Sequence, residues 1–447
     1  MKRRLKSLFS IAIVLFALEL QAQDKKVLTL DEAIDLSIRN SHPLKADQAK
    51  IDEATAALKE ATEKRLPNAS ISGSYLRLNA ANFDLKTKSN NNGGSGGSGN
   101  SESPKVNQLA YGLLNISLPI YSGGKIRYGI ESSRYLAEAV KLDATEDREE
   151  TIQNAIEAYA NLFKAKSAVR LVRENLAQSQ QRVKDFSNLE KNGLLARNDL
   201  LKAQLQSSNL ELSLLDAENN AQLANLNMDL MLGLPDSTEL VMDTSGIERK
   251  NDPRSLAEFV QAARENRKDV SALALRKKAA ETGIKTVKAD RLPSLQLTGG
   301  YIAADVPNVF TVTNALNAGV GVSYNLASLW KTKSKLQQAN AKVQEIVESQ
   351  AMLQDNVTMQ VNKSYLTLVS NRKKIEVYAT AVEQAEENYR IVKNKFDNSL
   401  ATTTDLLEAD VAQLQSRLSY TLARADAFVA YHKLLQATGT LGTELKK

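Results

Sequence analysis

The sequence predicts a mostly α protein with a small β part, built on a duplicated helix–β-hairpin–helix–helix repeat. Three observations predict it. The chain repeats itself, its long helical stretches keep a seven-residue apolar period, and each copy holds two short segments in which apolar and polar residues alternate. Composition agrees. The 447 residues include only 20 Gly and 8 Pro, with 43% hydrophobic and 25% charged residues, a balance that suits long helices and not a disordered chain. There are no cysteines and two histidines, His42 and His432, which excludes disulfides, thiolate metal sites, Cys nucleophiles and His-rich zinc sites. The chain offers neither a nucleophile–base constellation nor a metal spacing, so the expectation is a non-enzyme without cofactor. The net charge of +6 is partly N-terminal, and no basic block stands out elsewhere, so no nucleic-acid partner is expected.

Residues 1–22 read as a signal peptide: Met1–Lys6 is positive, Leu8–Leu18 is apolar, and Ala22 is a small residue before a cut. The apolar run is well short of the roughly 20 residues that a membrane-spanning helix needs, and no later segment reaches that length. Membrane insertion of this chain therefore requires a β-barrel.

The first repeat covers residues 23–234. Its opening helix, Leu30–Lys64, carries Asp31, Glu32 and Asp35 in its first turns, where the helix dipole favours acids, and stops at Pro67. The period then changes to two. Strands are expected at about 68–84 and 106–121, separated by a Gly/Ser-rich loop at about 86–105 that reads as solvent-exposed on the cell exterior. After a linker at 235–253, the second repeat runs over 254–447, with strands at about 293–304 and 316–327. The copies match in order. Leu30, Glu32 and Asn40 meet Leu256, Glu258 and Asn266; Arg65-Leu66-Pro67 meets Arg291-Leu292-Pro293; Tyr159 meets Tyr365; Asp199-Leu200-Leu201 meets Asp405-Leu406-Leu407; and Gly233 meets Gly439.

The long helices read as coiled coils. Leu407, Val411, Leu414, Leu418, Thr421, Ala425, Phe428, His432 and Leu435 alternate spacings of four and three. In the first copy Leu201, Leu205, Ser208, Leu212, Leu215, Asn219, Gln222 and Leu226 do the same, and a second seam runs from Leu210 and Leu214 to Met228 and Met231. A 3.5-residue period gives a left-handed supercoil, and two seams on one helix mean two neighbours, as in a closed ring. His432 sits at a seam position and is expected to pack; His42 precedes Pro43 and is expected to be exposed.

In the strands Ala69, Ile71, Gly73 and Tyr75 share one face, as do Leu114, Ile116, Leu118 and Ile120, then Leu295, Leu297, Gly299 and Tyr301, then Ala318, Val320, Val322, Tyr324 and Leu326. A lipid-facing barrel strand and a half-buried soluble sheet both alternate in this way. The signal peptide favours the barrel, as do Tyr121, Tyr128, Tyr324 and Trp330 gathered at strand ends, where an aromatic girdle would meet outer-membrane lipid. Four strands cannot close a barrel, and open edges are not tolerated in lipid. Three chains together would supply 12 strands. The alternative is a soluble periplasmic coiled-coil adaptor or structural protein.

The ordered motifs, Arg-Leu-Pro before each first strand, Asn192-Gly193-Leu194-Leu195-Ala196 leading to Asp199, Asp405-Leu406-Leu407-Glu408-Ala409 and the terminal Gly439-Thr440-Leu441, resemble the TolC-type outer-membrane efflux channels. The resemblance implies a homotrimer in the outer membrane of a Gram-negative bacterium. It implies a 12-stranded barrel, a helical tunnel reaching into the periplasm, and no catalysis. It also implies docking to a periplasmic adaptor (membrane fusion) protein and an inner-membrane RND or ABC-type transporter, with drugs, dyes, detergents or secreted material as cargo. Carried over by position, the turns 192–196 and 398–402 are the tips that adaptors grip, through Gly193, Leu194, Leu195, Ser399 and Leu400. Asp405 and Glu408 form the acidic aperture. Asp199 is the tip latch; its usual Arg and Tyr partners fall on Ala401 and Phe396, so Arg197 is the expected substitute.

Overall fold

The computed structural model describes residues 25–82, 105–243, 253–307 and 309–445. The expected signal peptide and nearly all of the Gly/Ser-rich loop lie outside the described residues. The chain divides into two compact units. One contains residues up to 50, 141–272 and 350 onward; the other contains 51–140 and 273–349.

The first unit is helical around a small parallel sheet. Strand β1 (Lys25–Leu28) pairs with β2 (Glu239–Met242), the second lying inside the expected linker. Helix α1 (Leu30–Asn40) follows, then α2 (His42–Glu63). One continuous helix is expected across this stretch, but the chain breaks at Ser41, whose ψ of 116° leaves the helical region. Pro43 suits the break: it has no N–H to bond Arg39 O in a continuous helix, and its ring fits the first turn of a new one. The second copy breaks at the same place, between α5 (Leu256–Asn266) and α6 (Lys268–Ala289), at Arg267.

Helix α3 (Lys125–Lys191) and α4 (Arg197–Leu232) form one hairpin; α7 (Ser328–Asp397) and α8 (Thr403–Ala437) form the other, and α9 (Leu441–Glu444) closes the chain. The same joint recurs in the two copies, made by different atoms. Asn40 donates its side-chain amide to Leu232 O, and a Cβ at Gly233 would come within 2.9 Å of Asn40. In the other copy a Cβ at Gly439 would come within 3.0 Å of the Asn266 backbone. Each glycine ends a long helix against the break between two short ones, and a side chain there would force them apart. Tyr159 is fully buried in the larger core, with Leu28, Ile156, Leu162, Met228, Leu232 and Leu435, and its hydroxyl donates to Leu28 O and Asp243 O. His432 packs as expected, 3% exposed, with Nδ1 2.9 Å from Phe428 O.

The second unit holds a four-stranded antiparallel sheet. Its strands are β3 (Asn68–Asn82), β4 (Lys105–Tyr121), β5 (Ser294–Val306) and β6 (Phe310–Ser323), in that order across the sheet, so β3 and β6 are its edges. The last strand starts six residues before the expected position and ends at Ser323. Asn314, at φ 59°, breaks the alternation in a bulge where its N–H donates to Tyr301 Oη, so the period of two is unreadable upstream. The register aligns the apolar positions of all four strands on one face. Ile71 lies across from Leu114, Leu114 from Tyr301, and Tyr301 from Leu316. Two rows on along this face, Leu118 pairs with Leu297 and Leu297 with Val320. This face is open among the described residues: Ile71 is 84% exposed and Leu316 82%. It ends toward the β3–β4 connection at Arg77, Gln108 and Asp305. Among the described residues no helix is long and apolar enough to cross a membrane.

Candidate functional site

Both hairpin tips are built by the same backbone device. After α3, Gly193 takes φ +71°, its N–H bonds Glu190 O, and Leu194 N–H bonds Leu189 O at 2.8 Å. After α7, Ser399 takes φ +58°, its N–H bonds Phe396 O, and Leu400 N–H bonds Lys395 O at 2.7 Å. These paired bonds satisfy the last helical carbonyls through one left-handed residue. Glycine adopts that conformation freely; the serine does so at a cost. The device projects Leu194 and Leu400 outward, 73% and 76% exposed. Leu195 departs from expectation. It turns back half-buried onto a small apolar core with Phe186, Leu200, Ala203 and Leu406, because it follows the reversal and so points toward the hairpin. Phe186 and Phe396 stack there at 5.3 Å, so the residue at the usual latch-tyrosine position is a packing residue.

The expected Arg197–Asp199 latch does not form within the chain. Arg197 reaches back along its own hairpin to Glu190, at 3.3 Å. Asp199 instead pairs with Lys202 at 3.4 Å, one turn along α4, and Lys202 also donates to Thr404 Oγ1 at 3.1 Å. Lys202 therefore carries the tie between the two tips, a role that sequence reading missed.

Asp405 and Glu408 are both exposed at the start of α8, with Asp405 in its first turn. Asp405 has a second role. Its N–H donates to Thr402 Oγ1, while its carboxylate accepts from the Thr402 N–H at 2.8 Å and the Thr402 hydroxyl at 2.7 Å. This capping box satisfies otherwise unpaired groups at the helix start. The Thr402 hydroxyl and N–H also hold the Asp405 carboxyl below its ordinary value. The aperture candidate is thus ionised and sterically fixed.

Two residues on, Asp410 is fully buried. It accepts from Arg182 at 2.9 Å and from Asn175 at 3.3 Å, and Arg182 also donates to Tyr389 Oη at 3.1 Å. Charge buried on α8 is thus matched by charge on α3 and tied to α7. The sequence signal was present: Asp410 stands four residues after Leu406, in the phase of the buried side.

The two seams of α4 part company. Leu210 and Met228 are buried, whereas Leu201, Leu205, Leu212 and Leu215 are 49–64% exposed. Among the girdle aromatics Tyr121, Tyr324 and Trp330 are exposed. A bulge at Ile120 places Tyr121 opposite Leu295, on the apolar face. Tyr128 is half-buried against its own chain, with Lys285 Nζ 5.9 Å over its ring.

A further polar cluster, in the first unit, surrounds Arg267. This guanidinium donates to both oxygens of Asp269, at 3.0 and 2.6 Å, and to Gln360 at 2.7 Å, with Glu146 4.0 Å away. Burial, reinforced by Asp269, pushes the Glu146 carboxyl up to about 7. No group of His, Cys, Asp or Glu among the described residues is placed to hold a metal.

Residues 33–234 and 259–440 match the pattern of the family described as outer membrane efflux protein. The chain is 21% identical to the outer membrane efflux protein BepC of Brucella suis, over 98% of this chain and 91% of that one. It is 20% identical to the outer membrane protein TolC of Vibrio cholerae, over 77% and 80%. Among solved structures it superposes on the outer membrane protein VceC of Vibrio cholerae with a TM-score of 0.74 at 18% identity, covering 92% of this chain and 96% of that chain. The Campylobacter jejuni CmeC outer membrane channel gives 0.75 at 16% identity, over 93% and 88%.

Proposed function

Because the chain belongs to the outer membrane efflux protein family, we propose that three copies form the exit duct of a tripartite efflux or secretion system. Outer-membrane efflux is the family's work; the trimer, partners and site residues are assigned here. The observation that carries the reading is the four-stranded sheet, with one continuous apolar face and two unpaired edges. Paired edge to edge, β6 of one chain with β3 of the next, three sheets close a 12-stranded barrel and leave no edge in lipid. The strands hold 13–17 residues, and about 9–11 tilted residues span a bilayer. Tyr121 lies on this face at its helix-side end, Tyr324 directly follows β6, and Trp330 stands in the first turn of α7, the level at which a girdle meets the headgroups.

In this reading the exposed α4 seam packs on a neighbouring protomer, and the chain performs no catalysis. Three Asp405 and three Glu408 side chains ring the periplasmic mouth of the tunnel, narrowing it and favouring cations. Leu194 and Leu400, held outward by Gly193 and Ser399, are the apolar contacts for a periplasmic adaptor protein, which couples the duct to an inner-membrane RND or ABC-type transporter. The cargo is small molecules such as drugs, dyes and detergents, or secreted material. Extraction from outer membranes followed by planar-bilayer recording tests the reading. A heat-labile trimer that forms cation-preferring channels is expected. A folded monomer without channel activity contradicts it.

A further inference from the structure

We infer that the barrel lumen reads the apolar part of its cargo, and not its charge, at a collar of side chains toward the loop end. The inference rests on the trimeric-barrel reading above and places on the barrel wall a site for the apolar part of that cargo.

The strand register sorts the face opposite the lipid-facing one row by row. Nearest the helices, Gln296 lies between Pro119 and Gly321; next, Ser117 lies between Asn68 and Thr298; next, Asn115 lies between Ser70 and Gly300, and Gly300 pairs with Asn317. These rows present hydroxyls, amides and bare backbone. The character then changes. Leu113 lies between Ser72 and Ile302, Tyr111 between Ser74 and Ala304, and Leu109 pairs with Leu76; Ala304 in turn pairs with Val312. Over all these rows no Asp, Glu, Lys or Arg occupies the lumen face. Of the nearby charges, Arg77 and Asp305 belong to the opposite face, and Lys105 stands two same-face rows beyond Leu109, at the end of β4 past the collar.

Two physical consequences follow. A charge-free wall neither attracts nor repels an ion by its sign, so charge selection is left to the acidic mouth. Apolar side chains on a water-filled wall are an unspent hydrophobic surface, and a passing solute gains by covering them with its own apolar area. Leu76 is still 43% exposed, and Leu109, Tyr111, Leu113, Ile302 and Val312 are half-buried, so the chain covers part of this surface and leaves part of it open. Six side chains, Leu76, Leu109, Tyr111, Leu113, Ile302 and Val312, repeat three times around the barrel. They offer a weak, multiply represented site that slows an amphipathic solute without trapping it.

The test uses the purified trimer in planar bilayers, with tetramethylammonium or tetrabutylammonium added on the loop side. The two ions carry the same charge and differ in apolar area. For the wild type, tetrabutylammonium is expected to block at a concentration lower by about tenfold or more. In Leu113→Asn with Ile302→Asn, that ratio should fall by about threefold or more. Ser72→Leu, which adds to the collar in the same row, should raise it. Asp405→Asn with Glu408→Gln should weaken both ions alike and leave the ratio unchanged. A wild-type ratio near one overturns the collar. So does an unaltered ratio in a collar variant that still conducts, and the Ser72→Leu arm decides on its own if the double variant does not assemble. Absence of channels from the wild-type protein overturns the barrel reading itself, a result distinct from either.

Discussion

Asp405 holds two roles that substitution can separate. Asp405→Asn with Glu408→Gln removes the aperture charge while keeping an acceptor for the Thr402 N–H, so cation preference should fall and thermal unfolding should hardly move. Asp405→Ala also removes the capping box, so its melting temperature should drop below that of the Asn variant. The Asp405 carboxyl is held below its ordinary value of 3.8. A depressed acid stabilises above its unfolded value and loses that contribution as pH falls through the folded one, so the cap's contribution is lost below the ordinary value of 3.8. Glu146 has the opposite sign. Its folded value near 7 exceeds the ordinary 4.5. Its contribution is fully present below about pH 4.5 and is lost as pH rises through 7. With its partly solvent-facing position discounted, the effect is on the order of 1–2 kcal/mol. Glu146→Gln should flatten the stability profile between those limits in denaturant titrations at successive pH values. Asp410→Ala strands a buried guanidinium and should cost about 3–5 kcal/mol in the same titration. A loss below 1 kcal/mol would mean that water replaces the carboxylate.

At the scale of elements, the seams of α4 sort by what covers them. Leu210 and Met228 are buried in their own chain; Leu205 and Leu212 face away from it. Leu205→Asn with Leu212→Asn should therefore leave the far-ultraviolet circular dichroism of the protein unchanged while lowering the temperature at which the trimer dissociates. A loss of helix content would place those leucines inside one chain. Much of this level was legible in the sequence. The heptads gave both seams, because a 3.5-residue period needs no partner to be visible. The alternation at 69–75 and 295–301 gave the strand faces, because lipid and lumen impose opposite chemistry on neighbouring residues. The short strands at 25–28 and 239–242 were not legible, since four residues carry too little period and their pairing is distant in sequence. The Asn314 bulge hid the start of β6 for a related reason: one extra residue inverts the alternation. At the tips the turns were visible from Gly193 and the matched Ser399, but the Lys202–Thr404 tie was not, because it joins residues of opposite copies.

For the whole molecule, the account depends on closure. Among the described residues, one chain supplies a sheet with two open edges, an apolar face without cover and a helix seam without a partner. Each of these is costly alone, and a ring of three removes all of them at once. The repeat within the chain gives the same economy on a smaller scale, as the Asn40–Gly233 and Asn266–Gly439 contacts use one joint twice. The most direct test is the native mass of the protein extracted from outer membranes in mild detergent. Three chains per particle, collapsing to one on heating, is the predicted result. A folded particle of one chain, or an open series of masses with no closed species, would contradict the account.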